Sequence, residues 1–255
     1  MTERAAASKG CRECSGCDEG DDEMITNPVI EDYVAGLVPP RSPLLERLER
    51  EAEAEGIPIV QLPTAQVMRA FLRLHRPKQI LEIGTAIGYS TIWMAEAAPD
   101  AKIVTMDIDE ERLKRAKANL QEAGVDDRVE VLLRDATTGL AEPASFDCLF
   151  IDAAKGQYQA FLDLYLPMLR PGGMVLSDNV LFRGLVATPE EAGKRQRPLV
   201  DKLNRFNQYL TQHPDLDTTF IPVGDGLAVS FKKVTTKNNR KQATRNLKTS
   251  VLEGC

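Results

Sequence analysis

The sequence predicts an α/β fold: a doubly wound, seven-stranded and mostly parallel sheet with helices on both faces and an antiparallel hairpin at one end. Three observations lead there. Gln79 to Ile83 is a near-continuous apolar run, as a strand buried on both faces requires, and it leads directly into a glycine-punctuated turn and a helix, ILEIGTAIGYS over residues 80–90. Beyond it, strand and helix patterns alternate as repeated βαβ units, and such crossovers make the strands parallel. The last two strand patterns are separated only by Val223-Gly224-Asp225, a connection too short for a crossover, so that pair must be antiparallel.

Each element has a local reason. Ser42-Pro43 starts a helix, with Pro at the first helical position and Leu44, Leu45 and Leu48 on one face, and Gly56 ends it. A second helix covers Thr64 to Leu74 and is stopped by Pro77. Strands follow at 79–83, 102–107, 128–133, 147–151, 173–177, 217–222 and 226–232, with helices between most of them. A chain of 255 residues, 43% of them hydrophobic, supports one large core and a single domain, placed at 29–233. Residues 1–28 read as an acidic, cysteine-bearing leader without periodicity, and 234–255 as a flexible basic tail.

Charge separates the tails from the body. Residues 1–24 carry a net −4 and residues 232–255 a net +6 in a chain of net −6, which leaves the body at −8. A generally basic nucleic-acid binder is therefore excluded, and any polyanion must meet a local patch or the tail. No run approaches the roughly 18 apolar residues of a membrane span, and no signal-like segment opens the chain, so a cytoplasmic protein is expected. Among the five cysteines, Cys11, Cys14 and Cys17 form a C-x2-C-x2-C run, one ligand short of the usual four, in a polar setting that reads as an unstructured tail. Cys148 reads as strand core.

The chemistry should lie at the carboxyl ends of the strands, where ligands gather in such sheets. Gly84 and Gly88 let backbone approach a ligand closely, but their GxxxG spacing lacks the third glycine of a dinucleotide fingerprint. Glu82, inside the preceding strand, suits a cationic ligand, which favours S-adenosylmethionine over NAD. Asp107 closes the second strand about 20 residues after the loop, where a carboxylate can accept ribose hydroxyls; the alternative role of helix cap fits Asp109 better. Asp135 suits the adenine edge, with a solvated loop residue as the alternative. Asp152 and the pair Asp178-Asn179 each follow an apolar strand. If those strands are neighbours, about 4.8 Å apart, two carboxylates and an amide oxygen can share a hard cation such as Mg2+. The plain alternative is that Asp178-Asn179 is a turn. Lys155, three residues past Asp152, is placed to take a hydroxyl proton as general base, or else is a surface lysine paired with Asp152. Neither His75 nor His213 reads as catalytic.

At these residues the chain resembles a known family. LEIGTAIGYS, IDAAKGQYQ, SDNVLFRGLV and IPVGDGLAVS together look like the cation-dependent O-methyltransferases that include catechol and caffeoyl-CoA enzymes, over about Val29 to Lys233. That resemblance implies a Rossmann-like methyltransferase fold and a homodimer. It implies Mg2+ on Asp152, Asp178 and Asn179, and S-adenosylmethionine near Val60, Glu82, Gly84, Thr85, Ser90, Asp107, Asp135, Ala136 and Asp152. Within the family, the wording of AAKGQYQ, DNVLF and PVGDGLA is most similar to the bacterial branch that methylates 5-hydroxyuridine at the wobble position of tRNA. The partner implied is then a tRNA anticodon loop, and Arg41, Arg183, Lys194, Arg195 and Arg197 are candidates to contact it, or else a solvated helix face. The leader and tail lie outside the resemblance, and Asp107 is shorter than the Glu expected there. The competing readings are a small-molecule catechol or phenol O-methyltransferase, an NAD-dependent oxidoreductase, and a non-catalytic RNA-binding module.

Overall fold

The structure, a computed structural model, describes residues 28–140 and 145–234. The expectations for the leader, its three cysteines and the basic tail lie outside these residues. Helices α1 (Pro28–Gly36), α2 (Pro43–Glu55) and α3 (Leu62–His75) precede the alternating region. Then come β1 (Gln79–Ile83), α4 (Tyr89–Ala97), β2 (Lys102–Asp107), α5 (Glu110–Glu122), β3 (Val129–Leu133), β4 (Phe146–Ile151), α6 (Tyr158–Tyr165), β5 (Leu169–Ser177), α7 (Arg197–Gln212), β6 (Leu216–Ile221) and β7 (Leu227–Lys232). All seven expected strands are present, the fifth beginning four residues earlier than expected. Helix α1 was not anticipated, although it opens on Pro28, which follows Asn27 in the sequence and is the same kind of start signal as Ser42-Pro43.

Local chemistry sets the helix ends as expected. Ser42 caps α2 by accepting from the Leu45 amide at 3.3 Å, with Pro43 in the first turn and Gly56 closing the helix in the left-handed conformation. Asp109, rather than Asp107, caps α5, accepting from the Arg112 amide at 3.0 Å.

The sheet order is β3-β2-β1-β4-β5-β7-β6. The first five strands are parallel, and β7 runs antiparallel to both β5 and β6. The closing hairpin was legible; that its second strand slips between β5 and the first was not. Side chains alternate between two cores, as the strand period of two demands. Ile80, Cys148, Phe150, Met174, Leu176 and Val229 face helices α2 to α5. Leu81, Ile83, Leu149, Ile151, Val175 and Ala228 face α6 and α7. The chain reverses its winding between β1 and β4, the place where doubly wound sheets open a crevice. Among the described residues no helix is long and apolar enough to cross a membrane.

Candidate active site

A cavity of about 360 Å³ opens at that reversal, above the carboxyl ends of β1, β2, β4 and β5. Val60, Gly84, Thr85, Ser90, Asp107, Asp135, Ala136, Asp152, Lys155 and Asn179 all line it. Residues that sequence reasoning did not single out line it too, among them Ile59, Tyr89, Met106, Arg134 and Phe161. Most of these are apolar wall without a chemical signature that could have distinguished them from core.

The glycine loop is shaped by what passes beneath it. Gly84 has φ of +107°, and a Cβ there would stand 2.0 Å from the carbonyl oxygen of Asp152, so no other residue fits. The same crowding joins the two strand ends, with the Asp152 amide donating to the Ile83 carbonyl at 2.9 Å.

Glu82 is placed differently from expectation. It is fully buried and does not line the cavity; its carboxylate accepts from the hydroxyls of Ser90 at 2.5 Å, Thr91 at 2.5 Å and Thr105 at 2.6 Å. Since Thr105 gives its only hydroxyl hydrogen to Glu82, its 2.6 Å bond to Thr85 must be donated by Thr85. Burial raises the Glu82 pKa to about 7 against the pull of the three hydroxyls. The residue therefore organises the cavity wall through Ser90 directly and through Thr105 onto Thr85.

Asp107 is partly engaged. One carboxylate oxygen accepts from the Ala86 amide at 2.9 Å, the other from the amides of Ile108 at 2.7 Å and Asp109 at 3.1 Å. A carboxylate has about four acceptor positions, so roughly one remains, enough for a single ribose hydroxyl instead of two. Asp135 accepts from the Thr137 amide and hydroxyl, which together hold its carboxyl below the usual range.

The acidic pair sits deeper. Ile151 and Ser177 are partners in the β4–β5 register, and the Asp178 amide donates to the Ile151 carbonyl at 3.1 Å, so Asp152 and Asp178 leave adjacent strands side by side. Asn179 follows at φ of +56° and lines the cavity. Burial raises the pKa of both carboxyls, and Asp152 lies near enough to Asp178 to raise it further. Asp178 is 1% exposed, and its Oδ2 has no hydrogen-bond partner. The hydroxyl of buried Tyr158 is likewise unpartnered; burial foremost, then Asp152 and Asp178, push its pKa upward. Two neighbouring carboxyls whose charged forms burial disfavours, one with a free oxygen, fit a cation, whose charge would favour their ionised forms. No group of three His, Cys, Asp or Glu that could hold a metal stands among the described residues, so the candidate set is these two carboxylates and the Asn179 amide oxygen. Lys155, half-buried on the cavity wall, faces Asp152 closely enough to offset part of its shift.

The cations expected to meet RNA divide into two groups. Arg183, Lys194 and Arg195 are exposed beyond the Asp-Asn pair, as expected. Arg41 is committed elsewhere: its guanidinium forks onto Glu49 at 2.8 and 3.0 Å, and Glu49 accepts from the Tyr89 hydroxyl behind the cavity wall. Arg197 is held by Asp201 and the Pro189 carbonyl. Lys202, which sequence reasoning missed because its only signal is its helix face, lies against Gly156, beside Lys155. The two histidines are structural: His75 meets the Asp147 carbonyl, and His213 accepts from the Asp215 amide. Cys148 is buried strand core.

The O-methyltransferase family profile matches residues 38–233. The chain belongs to the O-methyltransferase family. It is 31% identical to the catechol O-methyltransferase of Mycobacterium tuberculosis over 225 residues, covering 83% of this chain and 99% of that protein. It is 29% identical to the caffeoyl-CoA O-methyltransferase of Stellaria longipes, covering 81% and 91% respectively. Among solved structures it is similar to the O-methyltransferase TomG of Streptomyces achromogenes, determined in complex with SAM. There the TM-score is 0.70 at 29% identity, covering 81% of this chain and 96% of that one. Family membership removes the oxidoreductase and the non-catalytic RNA-binding module from the competing readings.

Proposed function

We propose that this O-methyltransferase takes its methyl group from S-adenosylmethionine and passes it, with the help of Mg2+, to a hydroxyl that has a second oxygen beside it. The observation that carries this is the side-by-side exit of Asp152 and Asp178 from β4 and β5: Asp152 and Asn179 line a cavity walled by the glycine loop, and Asp178, directly before Asn179 in the chain, is buried off the lining itself. A Mg2+ held by Asp152, Asp178 and Asn179 would draw in two vicinal acceptor oxygens and lower the pKa of the hydroxyl among them. The chain's own residues supply the rest. Asp107 offers its remaining acceptor position to the ribose of the donor, and the loop at Gly84 allows backbone to approach it closely. Lys155 receives the hydroxyl proton; the acceptor oxygen then forms its bond to the methyl carbon as the carbon–sulfur bond breaks, leaving S-adenosylhomocysteine.

For the acceptor we favour 5-hydroxyuridine at the tRNA wobble position, whose 5-hydroxyl lies beside the 4-carbonyl, giving 5-methoxyuridine. The motif wording supports it, as do the exposed cations Arg183, Lys194 and Arg195 in the segment after the Asp-Asn pair and Lys202 beside Gly156. A small catechol is the second reading, supported by the names of the relatives. A homodimer belongs to the same proposal and is checked by light scattering. The deciding experiment offers labelled S-adenosylmethionine with hypomodified tRNA and, separately, with a catechol panel, each with Mg2+ and with EDTA. Label on tRNA that releases as 5-methoxyuridine is expected. Label only on catechols would move the assignment to the second reading, and full transfer in EDTA would reject the metal.

A further inference from the structure

The segment after the Asp-Asn pair adopts an unusual backbone. Asn179, Phe182 and Arg183 all have positive φ, at 56°, 44° and 55°, a region that side-chain-bearing residues enter only when their surroundings hold them there. Two elements hold them. On one side is the β6–β7 turn: the amide of Val180 donates to the Gly226 carbonyl at 3.0 Å, and those of Leu181 and Phe182 donate to Asp225 at 2.9 and 3.1 Å. The approach is so close that a Cβ on Gly226 would stand 2.3 Å from Leu181 Cγ. On the other side is α7. Arg197 donates to the Pro189 carbonyl, Asn204 to Val186 at 3.5 Å and Asn207 to Val180 at 2.8 Å. These three lie seven and three positions apart, toward one side of the helix, and meet the loop carbonyls in reverse order.

Val180 is thus bonded at both its N–H and its C=O, and it is the residue directly after Asn179. Asn207 makes that second bond from a side chain whose other polar atom, Oδ1, is buried without a partner. No mechanistic step uses this amide. Rotating it would set Oδ1 against the Val180 carbonyl oxygen, so only one orientation is satisfied. We propose that Asn207 is a positioning residue for the cation site: by gripping the Val180 carbonyl it keeps Asn179 in its left-handed conformation, with the amide turned to the cavity beside Asp152. The inference rests on the metal reading given above.

The probe is Mn2+ binding, followed by the loss of free-ion paramagnetic signal on the full chain with S-adenosylhomocysteine present. Asn207→Ala and Asn207→Asp are expected to weaken Mn2+ by 10- to 100-fold, the usual consequence of removing an outer partner of a ligand. Their affinity for S-adenosylmethionine should stay within about twofold of wild type, because the donor wall is remote from α7. Asn204→Ala, three residues earlier on α7, should leave Mn2+ affinity unchanged. Should Asn207→Ala fail to fold, Asn207→Ser, too short to reach Val180, is read in the same way. Folded Asn207 variants that bind Mn2+ as wild type does would overturn the inference, as would an Asn204→Ala variant that loses as much. A wild-type protein that binds no Mn2+ would overturn the metal reading itself and this inference with it.

Discussion

The two halves of the cavity are built on opposite principles. On the donor side, the polar groups that shape the wall are largely engaged from within: Glu82 by three hydroxyls, Asp107 by three amides with about one acceptor position left over, Tyr89 by Glu49. On the acceptor side the reverse holds. Of the five buried side-chain polar atoms without a partner among the described residues, Tyr158 Oη, Ser177 Oγ, Asp178 Oδ2 and Asn207 Oδ1 gather around the ends of β4 and β5; only Trp93 Nε1 lies elsewhere. An unpaired buried polar group costs about 1–3 kcal/mol, so such a cluster marks where the fold gives up stability for a site. The contrast teaches that one wall is organised by hydrogen bonds within the protein, whereas the ends of β4 and β5 carry polar atoms that the described residues leave unpaired, as the proposed cation site requires.

That contrast can be broken from either side. The largest effect is expected at these strand ends: Asp152→Ala should abolish methyl transfer, while circular dichroism and thermal melting show a retained fold, because a desolvated carboxyl is removed and not a packing element. Lys155→Met should lower kcat by about 10²- to 10⁴-fold, the range for loss of a general base, with S-adenosylmethionine binding unchanged in calorimetry. A variant that keeps wild-type kcat would confine Lys155 to pairing with Asp152. Gly84→Ala tests whether the halves are locked together. Its Cβ would collide with the Asp152 carbonyl and its φ disfavours a side chain, so denaturant unfolding should show a loss of about 2–4 kcal/mol, with activity falling alongside.

The smallest effect, and the sharpest on the donor side, is the pH dependence of Glu82. Its pKa is about 7 in the folded protein and near 4.5 for the ordinary carboxyl. Between those values the native state binds more protons than the unfolded chain, so this residue's contribution to stability is greatest below pH 4.5, declines as pH rises and is flat above about 7. Within that window each pH unit costs up to about 1.4 kcal/mol. Glu82→Gln should remove this decline, seen as a smaller drop in Tm between pH 5 and 7.5 than wild type shows. An equal drop in both would mean that the three hydroxyls stabilise the ionised form as fully as water does.

Much of this arrangement was legible in the chain, and the exceptions share a cause. Strand β1 and its loop were readable because apolar runs and glycines act within a few residues, and the same holds for the Ser42 and Asp109 caps. Asp152 and Asp178 could be paired on paper only conditionally, since their contact depends on β4 and β5 being neighbours. For Glu82 the strand position was readable but its partners were not, since the hydroxyls that enclose it come from α4 and β2. Arg41 misled for a similar reason, its partner Glu49 being eight residues away on a helix whose orientation the sequence does not state.

By itself the sequence determined the seven strands, most of the helices, the parallel character of the sheet and the acidic residues at its strand ends, because periodicity, capping and glycine geometry are local properties of the chain. Only the tertiary structure decided that β7 enters between β5 and β6, that Gly226 and Asn207 close on Val180 from two sides, and which carboxylates are already satisfied. Those outcomes depend on groups brought together from distant parts of the chain, and burial, which assigns each its energy, exists only once they have met.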